Sequence, residues 1–502
     1  MDSTDGPPNI LFLVWDACRL DYAREHASNL GELADSGVWF EKAVAPATWS
    51  LPSHASLFTG QPPHEHGVTQ PSQSRVPTDL VDELKSNEYT CYGVSGNGFA
   101  SPLWGFDEPF DDFRSTRGPE PYVDGLDVYT QLRSDLEAGT PKLSLLRQYF
   151  TESLAHPHPA KSLANLAAVG INHVSREVVP ALQAVPHDVF RTGIRETYAP
   201  EKNTRAITNF LREEAESESP FFVFSNYMDT HRPYAPPEDL QRKHLGAPLD
   251  DAEIRRLNDE VAGPWKFIQR VENGEVDDSD VDTLQKLYAG EVESVDRHLG
   301  RLLAELRRND LFENTLVVVT SDHGENLGSP DSHGDRRFGH EASLSDDLCR
   351  VPLVVSHPDI EPGEVSELFS LTSLYDVILD ASRRNAEFTV DDIRDQCAPR
   401  VACEYPALGD ESFYDEHPDI DRAILEQRVE RDSLAAYEND WRAMLESGGT
   451  RLAEHRGEPA DVGEAPESLV EFSEAILERL GHLNQVDVDV DTQNRLEDLG
   501  YL

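Results

Sequence analysis

The sequence predicts an α/β fold: a mostly parallel central sheet covered by helices on both faces, followed by a smaller C-terminal region. Three observations predict it. Short segments that are apolar on both faces alternate with segments of helical periodicity, the pattern of strands buried on two sides. Polar clusters rich in Asp, Asn and His directly follow three of those segments. The chain has 502 residues, 38% of them hydrophobic, enough for a core that needs no disulfide or metal staple.

Asn9–Trp15 (NILFLVW) follows Pro7-Pro8 and reads as a buried parallel strand ending at Asp16. Asp21 to Ser36 reads as one helix with Leu30 and Leu33 on its apolar face, and the surroundings of Leu80–Leu84 as a second. Tyr89–Ser95 and Phe221–Ser225 are expected strands. Between them, residues 124–199 read as a helical insertion, with Ser153–Val174 placed over the site. Residues 239–276 read as acidic and loop-rich. Asp282–Arg308 has apolar residues at three- and four-residue spacing, which predicts a long amphipathic helix. Leu316–Thr320 and Val351–Ser356 are further strands. From about residue 381 the pattern changes. An acidic linker (391–400), a strand near Val401–Tyr405 and a helix over Glu467–Leu480 form a smaller unit, 381–502, beside a main unit of 1–380. Val486–Asp491 alternates strictly and is strand or acidic loop, and Arg495–Leu502 reads as a short helix and tail.

Charge excludes some functions. Lys+Arg total 44 and Asp+Glu 94, a formal charge of −50. No basic run exists to grip nucleic acid. The acids are interspersed with apolar runs, so the chain folds, and the density reads as a surface adapted to high salt in a haloarchaeal-like organism. Five cysteines without CxxC spacing argue against a disulfide framework. The acidic start MDSTDGPPN resembles no secretion signal, and no run of 18 apolar residues spans a membrane, so a cytoplasmic protein is expected.

The chemistry-bearing segments are few. Ser50, in TWSLPSHASLFTG, precedes a Pro and a helix start, where orphan amides favour an anion. It either attacks a phosphoryl or sulfuryl centre or caps the helix. Asp322-His323 after LVVVTS, and Asp16 after NILFLVW, offer carboxylate and imidazole donors for a divalent cation, or form a hydrogen-bonded pair and a cap. His231 and His340 are candidates for binding substrate oxygens and for protonating a leaving oxygen. Arg19, Asn97, Asn226 and Asp229 are candidate substrate contacts.

Taken together, PNILFLVWDACRLDY (8–22), LGELADSGVWFEKAVAPATWSLPSHASLFTG (30–60), NYMDTHRPYAPP (226–237), LYAGEVESVDRHLGRLL through NTLVVVTSDHGENLG (287–328), FGHEASLSDDLCRVPLVV (338–355) and RLEDLGYL (495–502) resemble the sulfatase family of the alkaline phosphatase superfamily. The resemblance implies that Asp16, Asp322 and His323 ligate one divalent metal (Ca, Mg, Mn or Zn). It implies Ser50 as nucleophile and His231 and His340 as substrate and leaving-group residues. Three departures stand out. The family's usual Asp-Asp after the first strand is Asp16-Ala17 here. Its common Asp-Asn pair is Asp322-His323, which resembles phosphonate monoester and phosphodiester hydrolases. Formylglycine formation requires Cys or Ser, then Pro two on and Arg four on; Ser50 and Pro52 fit but position 54 is His. Ser50 is therefore expected to remain unmodified, with His54 replacing the arginine beside it. The implied activity is hydrolysis of a sulfate ester. The alternatives are a phosphodiester or phosphonate hydrolase, a phosphoryl transferase to a glycan or lipid head group, and a silent binding member. The expected substrate is a small anionic ester or such a head group.

Overall fold

The computed structural model describes residues 6–69, 75–116, 120, 122–129, 132, 142–177, 200–217, 219–330, 334–340, 343–383, 388–407, 422 and 431–483. The expected elements over 486–491 and 495–502, and residues 178–199 of the helical stretch, lie outside them. In chain order the strands are β1 (Asn9–Trp15), β2 (Val38–Val44), β3 (Thr90–Ser95), β4 (Asp112–Ser115), β5 (Phe221–Tyr227), β6 (Thr315–Thr320), β7 (Asn326–Pro330), β8 (Arg336–Gly339), β9 (Leu353–Ser356) and β10 (Gly363–Ser370). A second set follows: β11 (Arg400–Tyr405), β12 (Ser433–Glu438), β13 (Trp441–Glu446), β14 (Arg451–His455) and β15 (Glu458–Ala460).

Eight strands form the central sheet in the order β10-β2-β9-β6-β1-β5-β3-β4. All run parallel except β9, which is antiparallel to both β2 and β6. Alternating residues of β1 feed opposite faces. Ile10, Phe12 and Val14 join one core cluster, and Leu11, Leu13 and Trp15 join the other. That two-sided burial is why β1 is apolar from Ile10 to Trp15. Helices cover both faces, the longest being Asp278–Arg308, which turns Leu284, Leu287, Val295 and Leu299 onto the sheet. Among the described residues no helix is long and apolar enough to cross a membrane.

Register decides where the polar strand ends meet. Val14 sits opposite both Asn226 and Thr320, and Ser95 opposite Asn226. Residues just beyond these pairs, Asp16, Asn97 and Asp322, therefore share one row at the carboxyl end of the sheet, where open α/β sheets bind ligands.

The structure departs from the sequence reading in several places. The helix over 21–36 is two helices, Leu20–His26 and Ser28–Ala34. The Asp296 carboxylate of the long helix accepts from the amides of Asn29 (2.9 Å) and Leu30 (2.9 Å), so a distant acid caps the second start and stabilises the break at Ala27. Residues 239–276 hold the helices Glu238–Leu245, Asp251–Arg256 and Pro264–Asn273, plus a π turn, not loop. Each is too short to show periodicity, yet they bury Leu240, Ile254, Phe267 and Ile268. The expected linker includes the helix Val390–Arg394, fixed by a capping box between Thr389 and Asp392. Strands β2 and β10 went unread because polar residues interrupt both.

β11 to β15 form an antiparallel meander covered by the helix Glu467–Leu483, with Leu469, Ile476 and Leu480 against Leu434 and Leu445. Its other face adds Val401, Cys403, Tyr405 and Met444 to the main core. Gly324 shows how tightly the turn after β6 is held. A Cβ there would lie 1.8 Å from the Asp347 carbonyl oxygen. Gly324→Ala is expected to cost about 2–3 kcal/mol by displacing this turn, read as a lowered urea midpoint with an unchanged slope.

Candidate active site

Ser50 is the first residue of the helix Ser50–Thr59, behind an extended Trp49. No side chain caps that helix, so neither Ser50 nor Ser53 is spent as a cap. Ser53 Oγ instead donates to the Asp322 carbonyl (2.7 Å) and ties the helix to the end of β6. Ser50 Oγ is buried, 3.4 Å from Asp16 Oδ2 and 3.3 Å from His323 Nε2.

The ligand atoms around it are aimed by a second layer of contacts. Asp16 Oδ2 accepts from Asn97 Nδ2 and from Asn226 Nδ2 (3.3 Å), while Oδ1 has no hydrogen-bond partner. Asp322 Oδ1 accepts from the Ala17 amide (3.2 Å) and the His323 amide (3.0 Å), while Oδ2 has none. His323 Nδ1 donates to the Gly324 carbonyl (2.8 Å), which leaves the Nε2 lone pair facing Asp16 Oδ1 at 3.8 Å and Asp322 Oδ2 at 3.6 Å. All three residues are fully buried. Burial, then the facing Asp322 carboxylate, pushes Asp16 up to about 6. Burial also opposes ionisation of Asp322, but His323 and His54 outweigh it and hold that carboxyl low. Two orphaned carboxylate oxygens and one imidazole nitrogen turned into one space are a cation's donor set. The three residues each bring a ligand atom within 4.8 Å of the others, close enough to share one divalent ion.

Ala17 adopts a left-handed conformation at φ +59°. Its amide holds Asp322 and its carbonyl accepts from the Tyr288 hydroxyl (2.7 Å), so its neighbours impose the strain. The Thr230 hydroxyl donates to the Asp16 carbonyl (2.6 Å). His54 Nδ1 donates to the Ser50 carbonyl (2.8 Å), and its Nε2 accepts from Asn226 Nδ2 (3.1 Å). One amide group thus steadies both a metal-ligand candidate and the residue packed behind Ser50.

His340 lies beside His323, ring centroids 4.5 Å apart, and His231 beside His340 at 5.3 Å. Burial, then His340, pushes His231 down to about 3. Its Nδ1 donates to the Arg232 carbonyl (2.6 Å). The structure therefore gathers Asp16, Ser50, His54, Asn97, Asn226, His231, Asp322, His323 and His340. Asn97 and Asn226 reach Asp16 itself. Arg19 pairs with Asp21 (2.8 Å) and Asp347 (2.7 Å), and Asp229 lies buried in the turn beside Thr230.

Sequence reasoning missed Glu325 and Tyr234. Glu325 is fully buried; its Oε1 faces His340 Nδ1 (3.3 Å) and its Oε2 accepts from the Tyr234 hydroxyl (2.9 Å). Glu325 sits inside the SDHGE segment, but only the tertiary structure brings Tyr234 to it.

A buried Asp/Asp/His cluster at the carboxyl end of a mostly parallel sheet, with a serine hydroxyl at a helix start against it, offers three ligands for a divalent cation beside a hydroxyl. The sulfatase family profile matches residues 8–382, so the chain belongs to the sulfatase family, whose members bind a divalent metal. It is 25% identical to arylsulfatase K of Canis lupus familiaris over 219 residues, covering 40% of this chain and 39% of that protein. It is 24% identical to choline-sulfatase of Rhizobium meliloti (strain 1021) over 393 residues, covering 72% and 64%. The chain thus spans less than two thirds of the length of either relative. The fold is similar to phosphonate monoester hydrolase of Agrobacterium radiobacter, with TM-score 0.61 at 17% identity over 95% of this chain and 96% of that one.

Stripping divalent ions is expected to lower the melting temperature, and adding one back to restore it. A ligand at 100 times its Kd stabilises by about 2.7 kcal/mol. In Asp322→Ala the metal-induced rise should vanish; calorimetry with and without chelator checks this.

Proposed function

We propose that this protein is a metal-dependent hydrolase of sulfate esters with Ser50 as its nucleophile. The observation that carries this reading is Ser50 Oγ at 3.4 Å from Asp16 Oδ2 and 3.3 Å from His323 Nε2, at the start of a helix. The chemistry is assigned to residues 1–380, with 381–502 a smaller C-terminal region. Asp16, Asp322 and His323 would hold a divalent cation, which when bound would supply Lewis acidity to the ester oxygens and to the Ser50 alkoxide.

The remaining work falls to the chain. Asn97 and Asn226 hold Asp16 so that one oxygen faces Ser50 and the other faces His323. His54 grips the Ser50 carbonyl and so fixes the first turn of the helix. It takes the place of an arginine. Ser50 Oγ passes its proton toward Asp16 Oδ2, to which it donates, and bonds to sulfur as the bond from sulfur to the leaving oxygen breaks. His340, steadied by Glu325, gives that oxygen its proton, and His231, neutral until an anion lies beside it, binds an ester oxygen once the anion's charge has drawn a proton onto its second nitrogen. Water then cleaves the seryl ester and releases sulfate.

A second reading is supported by three residues. His323 and an unmodified Ser50 followed by His54 suit attack on phosphorus, so a phosphodiester or phosphonate substrate, or phosphoryl transfer to a glycan or lipid head group, is the runner-up. Turnover of an aryl sulfate against matched aryl phosphate mono- and diesters, with divalent metals added back singly in molar salt, separates the two. Sulfate release that depends on metal supports the first reading. Selective phosphoester turnover replaces it with the second. Ser50→Ala should lower the rate by roughly 10³-fold or more at an unchanged melting temperature; a variant with full activity would remove Ser50 from the mechanism.

A further inference from the structure

One stretch of this very acidic chain is almost free of acids. Residues 138–187 contain Lys142, Arg147, Lys161 and Arg176 against only Glu152 and Glu177, while the whole chain has 94 acidic and 44 basic residues. The described part of that stretch is a helical hairpin, Lys142–Ala155 and Pro159–Glu177. Its first helix buries Leu145 and Tyr149 against Val128 and Val169. On its other side it presents Leu146 at 58% exposure, Phe150 at 51% and Leu154 at 52%. These positions are four residues apart and form one stripe. Among the described residues only five large hydrophobic side chains are exposed, and three are these. Arg147 is exposed beside them.

The hairpin is firmly rooted. Asn165 donates to the carbonyls of Tyr122 (2.7 Å) and Leu126 (3.1 Å), Ser162 Oγ accepts from the Leu126 amide (3.0 Å), and Lys161 pairs with Asp124. Segment 122–126 follows β4 at the carboxyl end of the sheet, the end that carries Asp16 and Asp322.

We propose that this hairpin docks the protein on an anionic lipid surface, inserting Leu146, Phe150 and Leu154 among the acyl chains. Local charge decides whether such an approach is possible, because interactions between exposed charges fade beyond about 8 Å at physiological ionic strength. The scarcity of acids in this stretch lowers repulsion where contact occurs, and the exposed Arg147 meets lipid phosphates. The patch is small for a protein partner. The three side chains expose roughly 300 Å², against about 800 Å² per partner in a standard protein interface. A few apolar side chains flanked by basic residues suffice for an interfacial helix.

Flotation of the full chain with phosphatidylglycerol/phosphatidylcholine vesicles, compared with pure phosphatidylcholine, tests this. The protein should float with the anionic vesicles and much less with the neutral ones. Leu146→Ser/Phe150→Ser/Leu154→Ser should cut partitioning by roughly tenfold or more, with an unchanged melting temperature and unchanged turnover of a soluble ester. Arg147→Glu should weaken binding to anionic vesicles alone. No flotation, equal binding to neutral vesicles, or a triple variant that binds like the parent overturns the proposal. So does a vesicle-independent dimer that the triple variant dissociates, which would make a second copy the occupant.

Discussion

The molecule is organised around a charge problem. Asp16 and Asp322 face one another fully buried, each with one oxygen that has no hydrogen-bond partner. Buried like charges are costly: burial first, and the Asp322 carboxylate second, raise Asp16. A cation between them turns repulsion into attraction. Much of the surrounding structure serves to keep the pair in place: the register of β1 with β5 and β6, the strained Ala17, and the backbone-held turn at Gly324.

Around that pair the polar groups divide their tasks. Each candidate ligand has one atom committed to the protein and one left for an ion. Asp16 is held through Oδ2, Asp322 through Oδ1 and His323 through Nδ1. This division fixes rotamers before anything binds, so little entropy remains to be lost on binding. Asn226 extends the same logic to Ser50 through His54, coupling nucleophile and ion site through a single amide. The Glu325, Tyr234 and His340 group is a separate chain of contacts on the far side of His323.

Much of this was legible beforehand. The strands β1, β3, β5 and β6 were readable because they are apolar on both faces, and Asp16, Ser50, Asp322 and His323 because each sits directly beside such an element. Helices with only one or two buried turns, as at Asp251–Arg256, were not readable, since so short a segment shows no period. Strand β10 lies at the sheet edge, where polar residues are tolerated and the pattern dissolves. The break at Ala27 was hidden because its cap, Asp296, is supplied from 266 to 267 residues away.

The sequence by itself determined the layered α/β class, the acidity of the surface and the residue types offered at the strand ends, because burial and periodicity are local properties. Tertiary structure alone decided which oxygen of each aspartate is free, which nitrogen of His323 is presented, and that Asn97 and Asn226 support Asp16. These depend on strand register and on contacts between residues up to about 300 positions apart, which no local pattern encodes.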